Sequence, residues 1–286
     1  MKLIVHGGAG KASAEPTVRQ QVLDRAVDVG LDSESPVGAV ESAINVLESS
    51  PRFNAGVGGA AQADGVVRTD AGLMTSERTV GSVCSMPGVE QAISVARAVL
   101  EHTPHVCLSG SQAAEFATAY GIDTGVLLST SETQERWEEA DPPMSDVREQ
   151  LEWVKRHFGG SDTVGAVASD GSVLAAATST GGRWFALPGR VGDVSQIGCG
   201  FYCSPAGGVS ATGAGEDIAR VTLSRTVVDY LDEGVSAQTA ADRALKEFER
   251  LTDSEAGVIV CAADGSIGSA FNTEAMPVSS GSTGTD

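Results

Sequence analysis

The sequence predicts an α+β chain in which mainly antiparallel sheets are covered by helices. Three observations lead to that class. Apolar residues recur at helical spacing in four stretches, short strand-like runs lie between them, and two Asp-Gly pairs sit where hairpin turns belong.

Met1 to Val5 reads as an opening strand with no room for a signal peptide. Val18, Val22, Ala26 and Val29 share one helical face, as do Val37, Val40, Ile44 and Leu47 behind the Ser35-Pro36 start signal. Ile218, Val221, Val228 and Leu231 line a further helix, and Ala241, Ala244, Phe248 and Leu251 another. Strands are expected over 79–85, 164–168, 173–178, 196–203, 257–262 and 266–271, with turns at Asp170-Gly171 and Asp264-Gly265. The stretch 129–162 is rich in Ser, Glu, Asp and Arg. It reads as a mobile connector with one polar helix, around Ser145 to Phe158. No internal repeat is evident.

The chain has 286 residues, enough for one sizeable core, and no apolar run of the ~18 residues that a membrane span needs. A cytoplasmic protein is expected. The five cysteines are scattered and read as buried free thiols, not a metal or disulfide framework. With 38 acidic against 19 basic residues, the net charge of −19 excludes nucleic acid as a partner, because phosphates would be repelled. Only four of the basic residues are lysines (Lys2, Lys11, Lys155, Lys246). That balance fits either an ordinary acidic surface or a salt-rich, halophilic setting in which screening lets carboxylates crowd together.

Directly behind the connector stands Asp162-Thr163-Val164-Gly165-Ala166-Val167-Ala168. A threonine there is either an ordinary strand start or a nucleophile placed at a cut. The returning strand ends in Thr178-Ser179-Thr180-Gly181-Gly182, which brings Thr180 near Thr163. A threonine hydroxyl needs a base to attack anything. If the chain is cut between Asp162 and Thr163, the freed α-amine, with an unperturbed pKa of about 7.7–8.0, is that base. No histidine is then required, and His6, His102, His105 and His157 are given no catalytic role.

Two further segments, Gly189-Arg190-Val191-Gly192-Asp193 and Thr212-Gly213-Ala214-Gly215-Glu216, complete a set of ordered motifs. Together with Thr163 to Ala168 and Ala177 to Gly182, they resemble the N-terminal-nucleophile hydrolases of the plant-type asparaginase, isoaspartyl peptidase and glycosylasparaginase family. His6-Gly7-Gly8-Ala9-Gly10, the stretch Leu47 to Gly58 and Phe271-Asn272-Thr273 extend the resemblance over almost the whole chain.

The resemblance implies a four-layer αββα sandwich of two mainly antiparallel sheets flanked by helices. It also implies a single domain over 1–286, self-cleaved into 1–162 and 163–286. By the same resemblance Thr163 is the nucleophile, tuned by Thr180, and the Thr212 hydroxyl and Gly213 amide hold the oxyanion. Arg190 and Asp193 grip the substrate's α-carboxylate and α-ammonium, and Asn54 and Gly8 play supporting parts. The carbonyls of Leu47, Glu48, Ser50, Phe53, Ala55 and Val57 would ring a structural sodium ion, with no cofactor needed for catalysis. The expected substrates are asparagine and β-aspartyl (isoaspartyl) peptides, with glycosylated asparagine as the alternative, and the expected assembly is a homodimer of processed units.

Two positions depart from the family pattern. Asp162 before the nucleophile resembles the glycosylasparaginases. Asp70-Ala71-Gly72-Leu73-Met74-Thr75-Ser76 lacks the second aspartate of the corresponding segment. A reading of another class remains: a non-catalytic ligand-binding protein whose Gly7-Gly8-Ala9-Gly10 imitates a phosphate loop, although it lacks the lysine and full glycine spacing of such loops.

Overall fold

The computed structural model describes residues 1–144, 146–160 and 162–284, and in it two sheets stack face to face. The larger has the order β11 (Val278–Ser282), β1 (Lys2–His6), β5 (Val164–Ser169), β6 (Leu174–Thr180), β2 (Arg68–Thr75), β3 (Val80–Pro87), β4 (Cys107–Ser109). Every pairing is antiparallel except β3 with β4. The smaller sheet runs β10 (Ile267–Phe271), β9 (Ala256–Ala262), β8 (Gly207–Gly213), β7 (Phe201–Ser204), antiparallel throughout.

Helices α1 (Pro16–Leu31), α2 (Pro36–Glu48), α3 (Ala92–His102) and α4 (Gly110–Ala119) pack on the outer side of the large sheet. On the small sheet lie α8 (Leu223–Asp232) and α9 (Ala237–Thr252), with the short α7 (Gly215–Val221) beside α8 and α9. The four-layer α+β sandwich expected from the motifs is the observed fold.

Side-chain alternation decides what faces what. On β5, Val164, Ala166 and Ala168 join the core under α1 to α4, whereas Val167 joins the core between the sheets. Thr163 and Gly165 share the parity of Val167. The same alternation on β6 turns Thr178 and Thr180, with Ala176, towards the small sheet. Thr178 and Thr180 thus reach the layer between the sheets, whereas Ser179 turns the other way, to Glu48 of α2. Gly72 is needed in that layer, since a Cβ there would stand 2.1 Å from the Phe201 ring.

The expected α1 and α2 form, and Ser35 caps α2 by accepting from the Gly38 amide at 3.1 Å. Elsewhere the structure corrects the reading. The single helix expected through Ile218 and Leu231 is broken at Thr222, whose φ is 50°. There the Ser224 and Arg225 amides donate to the carbonyls of Cys199 and Gly198, so a tertiary contact sets the new helix start. The strand expected over 196–203 survives only as β7. Residues 196–200 turn instead, with Gln196 and Gly200 both donating to the Asp193 carbonyl at 2.9 and 3.1 Å.

The connector holds two helices, α5 (Ser131–Glu139) and α6 (Val147–His157), rather than one. Ser145, where the sequence reading began its helix, lies outside the described residues; Asp146 caps α6. Trp153 and Val154 of α6 dock against Phe185 and Ala63. Four cysteines are buried as expected, but Cys107 is exposed.

Candidate active site

The junction Asp162–Thr163 leads into β5, the strand between β1 and β6, and Thr163 is 4 % exposed. The register Val164↔Ser179 continues to set Thr163 opposite Thr180, as the hairpin pattern predicted. In the uncut chain the carbonyl of Asp162 accepts two hydrogen bonds, from Asn54 Nδ2 at 2.8 Å and from the Thr180 hydroxyl at 3.2 Å. Asn54 is itself fixed, donating to the Gly182 carbonyl at 2.6 Å and accepting from the Ala60 amide at 2.9 Å. Two donors on one peptide carbonyl polarise it toward attack.

The Asp162 side chain turns the other way. Its carboxylate lies 3.6 Å from Arg19 Nη2, which also donates to the Gly7 carbonyl at 2.7 Å. Burial raises the Asp162 carboxyl above its usual range, against the pull of Arg19. Gly8, with φ +100°, leaves room for this group, because a Cβ there would stand 2.7 Å from Asp162 Oδ1.

Across the gap, β8 carries Thr212 and Gly213. Thr212 is fully buried, and its hydroxyl oxygen accepts from the Ala9 amide at 3.3 Å, which leaves its own proton available to donate. Gly213 has φ +138°, and a Cβ there would clash with the Glu255 carbonyl at 2.4 Å, so only glycine fits.

Arg190 and Asp193 come together on the loop after β6, facing Gly215. A Cβ at Gly215 would lie 2.5 Å from Asp193 Oδ1 and 2.9 Å from Arg190 Nη2. Neither Arg190 Nη2 nor Asp193 Oδ2 has a hydrogen-bond partner among the described residues, although both are buried. Burial raises the Asp193 carboxyl to about 6, partly offset by the Arg190 charge. Buried polar atoms without partners are costly, and these two stand side by side although Arg190 spends its Nε elsewhere, on Glu216.

Three residues at this site were not assigned roles from the sequence. Glu216 accepts from Arg190 Nε at 2.8 Å and Arg183 Nη1 at 2.7 Å; burial works against ionisation, but the two guanidinium groups win and hold its carboxyl at about 2. It stood in the Thr-Gly-x-Gly-Glu motif, which was the available signal. Asp70, in register with Thr180 across β2 and β6, is pushed up to about 6 by burial, and the Arg190 charge opposes that rise. His6 is fully buried, and burial lowers it to about 3 although hydrogen bonding to the Thr163 backbone works the other way. It is neutral. The Gly8 amide donates to its Nδ1, so Nε2 carries the proton toward Ser210 Oγ at 2.9 Å, and Ser210 continues to Thr178 Oγ1 at 2.8 Å. The missing second aspartate after Met74 also has a local account. Thr75 and Thr79 hydroxyls pair at 2.7 Å, and Ser76 both donates to and accepts from the Leu174 backbone, so hydroxyls close this turn.

The loop after α2 suits a hard cation in part. The carbonyls of Leu47, Glu48 and Ser50 each already accept a backbone N–H, while those of Phe53, Ala55 and Val57 accept none among the described residues. Leu47 accepts from both Ser49 and Ser50, whereas Glu48 and Ser50 each keep one lone pair, so five of the six carbonyl oxygens could still accept a hard cation. The Glu48 side chain is not among them. It is fully buried, accepting from the Ser179 hydroxyl at 2.5 Å and the Ile93 amide at 3.1 Å.

The phosphate-loop alternative loses its donors. The amides of Gly7, Ala9 and Gly10 donate to Pro277, Thr212 and Ala275, and that of Gly8 to His6. An open cleft of about 860 Å³ instead leads from Asn54 and Asp162 past Lys11, Arg183, Trp184 and Glu255 to solvent. No helix among the described residues is long and apolar enough to cross a membrane.

A four-layer sandwich with a buried threonine behind a doubly hydrogen-bonded peptide carbonyl, beside buried Arg190 and Asp193 atoms that lack partners, fits one class, the amide hydrolases of N-terminal-nucleophile type. Comparison with known proteins agrees. The family profile described as asparaginase matches residues 1–285. The chain is 36% identical over 288 residues to a plant-type L-asparaginase of Pyrococcus furiosus, covering 96% of this chain and 94% of that one. It is 39% identical over 291 residues to the plant-type L-asparaginase of Pyrococcus abyssi, with the same coverage. An isoaspartyl peptidase/L-asparaginase of Danio rerio is 35% identical over 285 residues, covering 96% of this chain and 90% of that protein. The chain belongs to the asparaginase family.

Proposed function

We propose that this protein cuts its own chain before Thr163 and then uses that threonine to hydrolyse asparagine and β-aspartyl peptides. The observation that carries the substrate reading is the buried, unpaired couple of Arg190 Nη2 and Asp193 Oδ2. A carboxylate and an ammonium on one carbon, as at the free end of an aspartyl unit linked through its side chain, satisfy both atoms. The names borne by the relatives, L-asparaginase and isoaspartyl peptidase, fit that chemistry.

For the cut, the Thr163 hydroxyl attacks the Asp162 carbonyl, whose growing negative charge Asn54 and Thr180 stabilise. The C–N bond breaks, the acyl group passes to the threonine oxygen, and water opens the ester. The freed Thr163 amine is then the base for its own hydroxyl. In the second reaction Thr163 attacks the side-chain carbonyl of the bound substrate, and the Thr212 hydroxyl with the Gly213 amide receives the oxyanion. Ammonia or an amine leaves, and water releases aspartate. Neutral His6 holds the Thr163 backbone without competing as a base. A cation in the Leu47–Val57 loop would serve structure alone, by bracing the loop that carries Asn54.

The excess of carboxylates and the scarcity of lysine support a salt-rich cytoplasm as the working environment. Under that reading few glycosylated asparagines are at hand, although Asp162 keeps them as the competing substrate. The test is a gel with N-terminal sequencing, followed by kinetics on asparagine, a β-aspartyl dipeptide and a glycosyl-asparagine. Two fragments, the smaller beginning Thr-Val-Gly-Ala, are expected, with turnover of the first two substrates. Full activity in an uncut chain would defeat the mechanism.

A further inference from the structure

Cys84 and Cys107 lie on neighbouring strands at the open edge of the large sheet, away from the cutting chemistry. The parallel pairing of β3 with β4 sets Ser82 opposite Cys107 and Cys84 opposite Ser109, so the two cysteines are diagonal neighbours on one face. Their sulfurs flank a single acceptor, the Leu108 carbonyl, at 3.9 Å for Cys84 and 3.6 Å for Cys107. Cys107 is exposed, whereas Cys84 is 8 % exposed. Cys84 also borders the substrate side, because the amide of its neighbour Ser85 donates to Asp70 Oδ1 at 2.6 Å and Asp70 stands in register with Thr180. The Arg190 charge is felt at the Asp70 carboxyl, which ties this edge of β3 to the clamp.

From this juxtaposition we infer that Cys84 and Cys107 form a peroxide-reactive dithiol whose oxidation to a disulfide is felt at the Arg190–Asp193 clamp. Exposed Cys107 is the attacking sulfur and shielded Cys84 the resolving one, the arrangement that redox-responsive thiols need. Hydrogen bonding with the Cys84 thiol, aided by the Ser82 hydroxyl, outweighs burial and lowers Cys107 to about 6, while the same contact raises Cys84. The Cys107 thiolate attacks one oxygen of hydrogen peroxide, the O–O bond breaks, and hydroxide leaves to be protonated to water. The Cys84 sulfur then attacks the Cys107 sulfenic acid. The S–S bond forms, the S–O bond breaks, and a second water carries off the Cys84 proton. Two thiols lose two electrons in all, and one peroxide becomes two waters.

Diagonal neighbours start about 7–8 Å apart at Cα, slightly beyond the usual disulfide range, so one strand must shift. Strand β4 is suited to do so. It has three residues, pairs on one side only, and follows an exposed loop from Thr103 to Val106. The other three cysteines are buried, and burial raises each of their thiols, which leaves them poor competitors.

The test treats the full-length protein with one equivalent of hydrogen peroxide at neutral pH, then counts thiols and maps peptides by mass spectrometry. Loss of two of the five thiols, a linked Cys84–Cys107 peptide and full recovery with dithiothreitol are expected. Cys107→Ser should form no such link. A shift that reaches β3 and loosens the Ser85–Asp70 contact removes about one hydrogen bond from behind the clamp, so kcat/KM for a β-aspartyl dipeptide should fall about fivefold and recover on reduction. Cys107→Ser should keep its activity through the same treatment. Five intact thiols, a link between other cysteines, or Cys107 driven to sulfinic acid without a link would overturn the dithiol. A linked protein with unchanged kcat/KM would refute its coupling to the clamp. Peptide mapping is independent of the proposed hydrolysis and decides the first point even for a protein that turns over no dipeptide.

Discussion

Replacing Arg190 by lysine isolates the geometry of the substrate clamp from its charge. Arg190 spends Nε on Glu216 at 2.8 Å and keeps Nη2 buried and unpaired. One guanidinium therefore serves a structural carboxylate and an incoming one at the same time, through its planar fork. A lysine ammonium at the end of a flexible stem keeps the charge but cannot present both bonds in those directions. The loss is one hydrogen bond between charged groups, about 1.5–3 kcal/mol, or roughly ten- to a hundredfold in kcat/KM. The fold should survive, because Glu216 retains Arg183 at 2.7 Å. Self-cleavage should survive too, since it involves no zwitterion. The assay is hydrolysis of a β-aspartyl dipeptide by protein shown on a gel to be cut, beside the same dipeptide with its aspartyl α-carboxylate amidated. Amidation should cost the unsubstituted enzyme heavily and the Arg190→Lys protein little more, because a double-mutant cycle on interacting partners is non-additive. A processed Arg190→Lys protein with normal kcat/KM on the free substrate would refute the clamp and return Arg190 to a structural ion pair with Glu216.

Asn54→Ala removes the 2.8 Å donor from the Asp162 carbonyl, and self-cleavage followed by a gel time course should slow about a hundredfold or more; a normal rate would leave Thr180 as the only donor that matters. The Asp193 carboxyl, raised to about 6, must be ionised to receive an ammonium, so below the decline set by the Thr163 amine a second acid limb in kcat/KM should begin as pH drops through about 6. In Asp193→Asn that acid limb should vanish along with most of the activity, and a limb that persists unchanged belongs to another group. Thermal melting should rise with salt into the molar range, where crowded carboxylates repel less. Equal melting in dilute buffer would sink the salt-adapted reading.

Much of this molecule was legible in the sequence because its signals are local. The Asp-Gly hairpin between β5 and β6 fixes a register, and that register alone places Thr180 across from Thr163. The face of α2 and its Ser35 cap follow from spacing and from the chemistry of one hydroxyl. Ordered motifs carried the family, and the family carried the four layers. Tertiary structure decided what no local pattern encodes. Helix α8 starts where it does because carbonyls from residues 198 and 199 meet its amides, although the apolar face reads straight through Thr222. His6 loses its charge, and Asp70 and Asp193 hold their protons longer, because two strands and a loop bury them and desolvation acts only once the sheets have closed. The unpaired atoms of Arg190 and Asp193 belong to the same category: the sequence names the residues, but only packing removes water and withholds every other partner.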